Sequence, residues 1–225
     1  MPCKWYCSDK FELLLKIIEA MKKKNMFLDH DGVMVDEKPY VLLYLNERYK
    51  INLRLADNIN FDLLHEVIQL HTGNPNLTFD EVYLDIGKNF HASDIWNERM
   101  PIIEDMPKVA PELAKKYNLH IATARQKIGH SALRTVYHRH IPKCIQELHC
   151  AWDYEEGRGF WSVPKATFIQ NFEGEKIAFI DDTLKEVLGT KDIIPSYLFD
   201  LHGVHTKETE IPKLESWKHI GDTFL

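Results

Sequence analysis

Residues 26–36 read MFLDHDGVMVD, an apolar run that ends on Asp29 and Asp31, with His30 between them and Gly32 behind. Carboxylates at the tip of a buried strand are poorly solvated and repel one another. They persist beside a cation or where chemistry needs them. Asp181 and Asp182 close a second apolar run, KIAFIDD. LHIATAR ends in Thr123, Ala124 and Arg125, and Lys165 opens KATFIQNF. Four carboxylates gathered in one place demand a cation, and hard oxygen ligands select Mg²⁺, which keeps waters and is commonly shared with phosphate. A carboxylate can itself attack phosphorus and form an aspartyl-phosphate. A second acid two residues on can protonate the leaving oxygen and then deprotonate water. Thr123 adds a hydroxyl, with backbone N–H groups such as that of Ala124 nearby, and Lys165 adds positive charge where a transferring phosphoryl group spreads its negative charge. Gly32 allows a sharp turn after the acids. His30 points to the alternate face and reads as structural or solvent-facing.

To act together these residues need one framework. Met26–Leu28, LHIATAR, IQELHCAW, KIAFIDD and SYLFDL read as strands. PKVAPELAKKYN, IGHSALRTVYHRHI, KATFIQNF and TLKEVLG read as helices between them, and the tail EIPKLESWKHIGDTFL as a last helix. Such alternation implies an α/β fold, a Rossmann-like, doubly wound and mostly parallel sheet with helices on both faces. Loops beyond the carboxyl ends of such strands build the site, which is where the polar residues above fall. Ahead of the first strand, Ser8 or Asp9 can cap a helix with Phe11, Leu14, Leu15, Ile18 and Met21 on one stripe. From Val33 to Met106 the pattern is helical, without a strand. KPYVLLYLNERY has Pro39 in its first turn, and NFDLLHEVIQLH puts Leu63, Leu64, Val67, Ile68 and His71 on one face. LTFDEVYLDIGKNFH opens on the capping-box pair Thr78 and Glu81. The chain thus divides into an α/β core of residues 1–32 and 107–225 and a helical insertion of residues 33–106.

FLDHDGV, HIATAR, Lys165 in VPKATF, and IAFIDDT resemble, in this order, the four motifs of the haloacid dehalogenase (HAD) superfamily, phosphatase branch. Asp29, Thr123, Lys165 and Asp181 follow one another at intervals of 94, 42 and 16 residues, and the long first gap resembles the family's helical cap. The resemblance covers nearly the whole chain after residue 25. It implies that Asp29 is nucleophile and metal ligand. Asp31 would be the general acid/base and would lend its backbone carbonyl to the metal. Thr123 and Lys165 would bind the phosphoryl group. Asp182 would complete the Mg²⁺ site, with Asp181 ligating or hydrogen-bonded behind it. Gly32, Ala124 and Arg125 are the expected substrate-binding residues, although Arg125 reads equally as a plain salt bridge. Family members that cleave carbon–halogen bonds lack an acid at the position of Asp31, so its presence points to phosphate transfer onto water or a sugar hydroxyl. DHDGV, TAR and FIDDT with a short helical cap look most like the deoxyribonucleotidase group.

The function this resemblance implies is a Mg²⁺-dependent phosphomonoester hydrolase working through an aspartyl-phosphate on a small soluble phosphate ester, a (deoxy)nucleoside monophosphate among the candidates. The alternatives are a phosphosugar mutase and a non-catalytic, metal-dependent phospho-ligand binding protein. For a nucleotide, Phe61, Tyr83, Phe90 and Trp96 are candidates to stack on the base, while aromatics at helical spacing also build cores. Trp152, Tyr154 and Trp161 lie in or near the loop DYEEGRGFW and could border the site.

Composition narrows the partners. The chain has 225 residues, 44% hydrophobic and 28% charged, with a formal net charge of −6. It lacks a broad basic field for a nucleic-acid polymer. The run Lys22-Lys23-Lys24 reads as the complement of a helix end. No apolar stretch approaches the ~20 residues of a membrane span, and the amino-terminal residues do not read as a signal peptide. Cys3, Cys7, Cys144 and Cys150 form no disulfide framework, and the cysteines with His138, His140 or His149 lack the tight spacing of a zinc knuckle. A reducing cytoplasm is the expected home. The sequence leaves the oligomeric state open, a homodimer included.

Overall fold

Every residue from Asn25 to Leu28 is buried, so β1 (Lys24–Leu28) shows none of the in–out alternation of a strand with one wet face. A strand covered on both sides sits in the middle of a parallel sheet. Met26 and Leu28 pack into one core and Phe27 into another, on the opposite face. The structure, a computed structural model, describes residues 23–55, 63–155, 159–205 and 210–225. The expected amino-terminal helix, Cys3, Cys7, Lys22 and Phe61 lie outside the described residues.

Four helices follow β1: α1 (Lys38–Tyr49), α2 (Leu64–Thr72), α3 (Phe79–Asp85) and α4 (Asp94–Arg99), with a π-helical turn at Ile86–His91. Then come α5 (Met106–Lys116), β2 (Tyr117–Gln126), α6 (His130–His140), β3 (Ile145–Glu155), β4 (Gly159–Ser162), α7 (Lys165–Asn171), β5 (Lys176–Asp181), α8 (Leu184–Thr190), β6 (Ser196–Phe199), β7 (Lys213–Leu214) and α9 (Trp217–Phe224). The strands form one sheet in the order β4-β3-β2-β1-β5-β6-β7, parallel except for β4 against β3. The fold is therefore α/β, doubly wound and mostly parallel. Strand order reverses at β1, and the crevice beyond its carboxyl end is where such sheets place their sites.

One face of the sheet is covered by Ala110 and Leu113 of α5, Leu133 and Tyr137 of α6, and Trp217 and Ile220 of α9. The other is covered by Phe168 and Ile169 of α7 and by Phe172 just after it. Trp217 is fully buried, and its indole N–H donates to the Val33 carbonyl at 2.6 Å, pinning the chain just after the acidic tip. Residues 35–100 gather a separate apolar cluster around Leu45, Leu64, Ile68, Phe90 and Trp96. The two connections to this cluster run side by side: Asp36 N–H donates to Pro101 O at 3.1 Å, and Ile103 N–H to Met34 O at 3.1 Å.

Four local expectations need correction. DYEEGRGFW is not simply a loop, because β3 continues to Glu155 and pairs antiparallel with β4, Tyr154 opposite Phe160. The alternation of Trp152 and Tyr154 with acids, followed by a glycine-bearing turn and two aromatics, is a hairpin signal. The helix after Thr78 keeps its capping box but widens into the π turn at Ile86. Leu63 and His71 are exposed, so the buried stripe of α2 is only Leu64 and Ile68. The tail is helical only from Trp217, and Lys213 and Leu214 extend the sheet edge.

His120 of β2 lies against the rings of Phe27 and Phe172, and burial pushes its imidazole down to about 4 from 6.5. The unfolded chain therefore takes up this proton at a higher pH than the folded one, and stability should fall as pH drops from about 6.5 toward 4. Buried His30, pushed down to about 3, contributes in the same sense. Melting temperatures measured across this interval should decline more shallowly in His120→Phe than in the wild type. Identical slopes would show that His120 is not a source of the acid sensitivity.

Candidate active site

Asp29 is the first residue past β1. Its N–H donates to Ile180 O at 2.9 Å, which sets it level with Asp181 at the end of β5. Lys165 opens α7 directly after Pro164, and its 2% exposed side chain reaches the strand ends. Its ammonium lies 2.7 Å from Asp181 Oδ2 and 3.0 Å from Asp29 Oδ2. Asp29, Asp181 and Asp182 each offer an oxygen within 4.8 Å of the others. Both oxygens of Asp181 are engaged, since Oδ1 accepts the Thr183 N–H at 2.8 Å. Asp182 has a looser partner, the Thr183 hydroxyl at 3.4 Å.

Gly32 explains how the first acidic turn fits against the second. It adopts φ +74°, and a Cβ there would stand 2.3 Å from Asp182 Cγ. Only glycine allows this approach. Thr123 is fully buried at the end of β2, where its hydroxyl accepts the Arg125 N–H at 3.2 Å, and Ala124 between them is exposed. His205, which the sequence did not single out, pairs through Nε2 with Asp182 O at 3.0 Å. Its own N–H is held by Asp200 at 3.2 Å, so the chain after β6 also braces the acidic cluster.

The electrostatics follow from crowding without water. Burial raises Asp29 well above the usual carboxylate range; Lys165 opposes this, and Asp181, Asp31 and Asp182 add to it. Burial, then Asp181, pushes Asp182 up to about 7. Burial also works against the charge on Lys165, but Asp181 and Asp29 outweigh it and hold the ammonium charged. Among the described residues, one ammonium thus faces three carboxylates. A small cation with oxygen ligands would balance the excess, and a donor set of carboxylates without sulfur or imidazole suits a hard divalent ion.

Asp31 sits apart from that triad. The Arg125 guanidinium grips it, Nε donating to Oδ1 at 3.1 Å and Oδ2 at 2.9 Å, and Nη2 to Oδ1 at 2.7 Å. Burial would raise Asp31, but Arg125 holds it well below the ordinary range. Of the two roles expected for Arg125, the structure shows the ion pair. The same guanidinium also binds Glu37 Oε1 at 3.2 Å and Asn97 Oδ1 at 2.8 Å, neither of which the sequence singled out. His30 is buried, with Nδ1 2.5 Å from the Tyr137 hydroxyl, a structural position rather than a solvent-facing one.

The expected stacking residues separate. Phe90 and Trp96 belong to the core of the insertion. Tyr83 stacks on Phe79 at 4.1 Å, and both lie against Phe160 of β4, at 6.5 and 6.0 Å between ring centroids. Trp152 and Tyr154 complete this seam, and Trp161 instead receives the Lys127 ammonium 4.9 Å from its ring. Gln126 donates through Nε2 to Tyr83 O and fills the space where Gly87 lacks a side chain.

No protein-family model matches the chain, and no curated protein is significantly similar to it. Solved structures do share its fold. A candidate phosphatase from Clostridium difficile is 19% identical with a TM-score of 0.69, over 90% of this chain and 99% of its own. The candidate HAD-hydrolase YfnB of Bacillus subtilis, bound to magnesium, is 12% identical with a TM-score of 0.56, over 90% and 98%. A candidate β-phosphoglucomutase from Thermotoga maritima is 14% identical with a TM-score of 0.54, over 89% and 97%. Further similar structures are described as HAD-superfamily hydrolases. The architecture is that of the HAD-like, Rossmann-type core.

Gly32→Ala should be costly beyond its size, because the added methyl meets both a strained, left-handed φ and the Asp182 carboxylate. A loss of more than about 1 kcal/mol in chemical denaturation is expected. A variant as stable as the wild type would show that the Gly32–Asp182 approach is not a fixed feature of the folded state.

Proposed function

We propose that this chain is a Mg²⁺-dependent phosphomonoester hydrolase that forms an aspartyl-phosphate on Asp29. One observation carries the reading: a buried carboxylate at a strand end lies 3.0 Å from a buried lysine and within 4.8 Å of two further carboxylates. The HAD-hydrolase descriptions of structures with the same fold support it.

Asp29, Asp182 and the Asp31 carbonyl would hold the metal, with Asp181 behind them. Asp181 already spends its oxygens on Lys165 and Thr183, whereas Asp182 keeps lone pairs free. Bound there, Mg²⁺ supplies counter-charge to the acids and to the phosphate oxygens. The remaining steps belong to the chain. Lys165 and Thr123, with the exposed backbone at Ala124, bind and orient the phosphoryl oxygens. An Asp29 oxygen attacks phosphorus as the bond to the ester oxygen breaks, and Asp31, ionised beside Arg125 in the free protein, relays to that oxygen a proton it takes from the bound phosphate monoanion. Water then attacks phosphorus, Asp31 takes its proton, and the bond between phosphorus and Asp29 breaks to release phosphate.

Residues 33–106 act in this reading as a cap over the strand ends, excluding water and selecting the leaving group. The substrate we assign is a small soluble phosphate ester, with nucleoside monophosphates the first to test because the Phe79–Tyr83 stack offers a surface for a base. The fold shared with the candidate β-phosphoglucomutase keeps a mutase in view. Isomer formation without phosphate release would favour it.

Asp29→Asn should lower phosphate release from p-nitrophenyl phosphate by about 10³-fold or more. A normal rate in that variant would refute the mechanism. Mg²⁺ at about 100 times its Kd should stabilise the wild type by about 2.7 kcal/mol. Because protons compete for a carboxyl pushed up to about 7, this gain should shrink as pH falls from about 8 to 6 and vanish in Asp182→Asn. Calorimetric melting with and without Mg²⁺ measures it, and an equal gain in Asp182→Asn would remove Asp182 from the metal site.

A further inference from the structure

We propose that Arg125 is the positioning residue for Asp31, and that Glu37 and Asn97 of the insertion hold Arg125 so that the insertion's placement governs proton transfer at the site. The inference rests on the hydrolase reading above and goes beyond it.

Arg125 is 1% exposed and spends its N–H groups on four side chains, the weakest contact being Nη2 to the Met100 sulfur at 3.5 Å. Nε and Nη2 take Asp31, Nη2 also takes Glu37, and Nη1 takes Asn97. The last contact is directional. Asn97 donates through Nδ2 to His91 O at 2.9 Å and Ser93 O at 2.8 Å, so its amide cannot turn and its oxygen must face the guanidinium. Glu37 is fixed in turn by His91 Nε2, 2.9 Å from its Oε1.

A buried ion pair seldom adds net stability over an apolar contact of the same shape, so its value lies in geometry. Here the geometry singles out one oxygen of Asp31. Oδ1 accepts from two guanidinium nitrogens and Oδ2 from one. Oδ2 therefore retains the lone pair that can meet a leaving oxygen or a water. Asp31 lies on the core side of the connections and Asn97 on the insertion side. A shift of the insertion therefore re-aims the carboxylate through the one guanidinium they share.

The test uses the full chain with Mg²⁺ and two esters. p-Nitrophenyl phosphate has a leaving group that departs without a proton, and glycerol phosphate has one that requires it. Arg125→Met should lower steady-state turnover of glycerol phosphate by about 100-fold. The first-turnover burst of p-nitrophenolate should stay close to wild type, followed by an accumulating phosphoenzyme because water activation is also impaired. Arg125→Lys should recover only part of the loss, since an ammonium cannot hold both carboxylate oxygens. Asn97→Ala and Glu37→Gln should show the same split in milder form. If Arg125→Met does not fold, these two decide. Equal losses in burst and turnover, or no loss in either, would overturn the proposal. A wild-type protein without burst or turnover on either ester would instead refute the hydrolase reading itself, and the proposal would fall with it.

Discussion

Negative charge packed into a space with little water is the constraint on which the rest of the site depends. Among the described residues, Asp29, Asp181 and Asp182 have one ammonium near them, Lys165, which pairs with the first two, and Asp31 has a guanidinium of its own. Each acid sits where it does because the backbone beneath it is fixed by fully buried strands. An aspartate on a flexible loop would swing into water and relieve the repulsion. The central position of β1 removes that escape, since the sheet neighbours β2 and β5 hold it from both sides. Repulsion that cannot relax is what raises the proton affinity of Asp29 and Asp182, and in the proposed function it is what a cation would relieve.

The same constraint accounts for details far from the acids. Gly32 is forced by the approach of Asp182, and Trp217 in the last helix ties down the turn between them through Val33 O. His205 and Asp200 brace the backbone of Asp182 from the other side. A site made of mutually repelling groups needs such bracing from several elements, because none of its members attracts the others enough to hold the arrangement. Among the described residues, only Lys165 does so directly.

The sequence disclosed the acids, Thr123 and Lys165 because each ends or begins a short run whose burial is written in adjacent residues. The alternation of strand and helix was legible for the same reason. What escaped was set by contacts between elements. Nothing near Arg125 in the chain announces Asn97, because that contact depends on how α4 packs over the end of β2. The β3–β4 pairing was obscured because the acidic, glycine-bearing sequence between the strands reads as a loop until its flanking aromatics are counted. Phe90 and Trp96 could not be divided from Tyr83 by spacing, since only the packed insertion shows which of them face its interior.

The charge arrangement also separates the two acids that the opening motif sets side by side. Asp29 and Asp31 are two residues apart, yet burial raises the first while the guanidinium holds the second low. Their surroundings therefore leave the two acids in different protonation states before any cation arrives, Asp29 holding a proton readily and Asp31 ionised. His30 between them cannot blur that division, because it points away from the triad toward Tyr137 and is buried in its neutral form. Asp29 and Asp182, which hold protons most readily without a cation, are the groups a metal would ionise. Asp31 is already ionised by protein groups and answers to the insertion instead. In the proposed mechanism, metal and insertion would act on different carboxylates, the ion on Asp29 and Asp182 of the core and the Glu37–Asn97 contacts on Asp31 through Arg125.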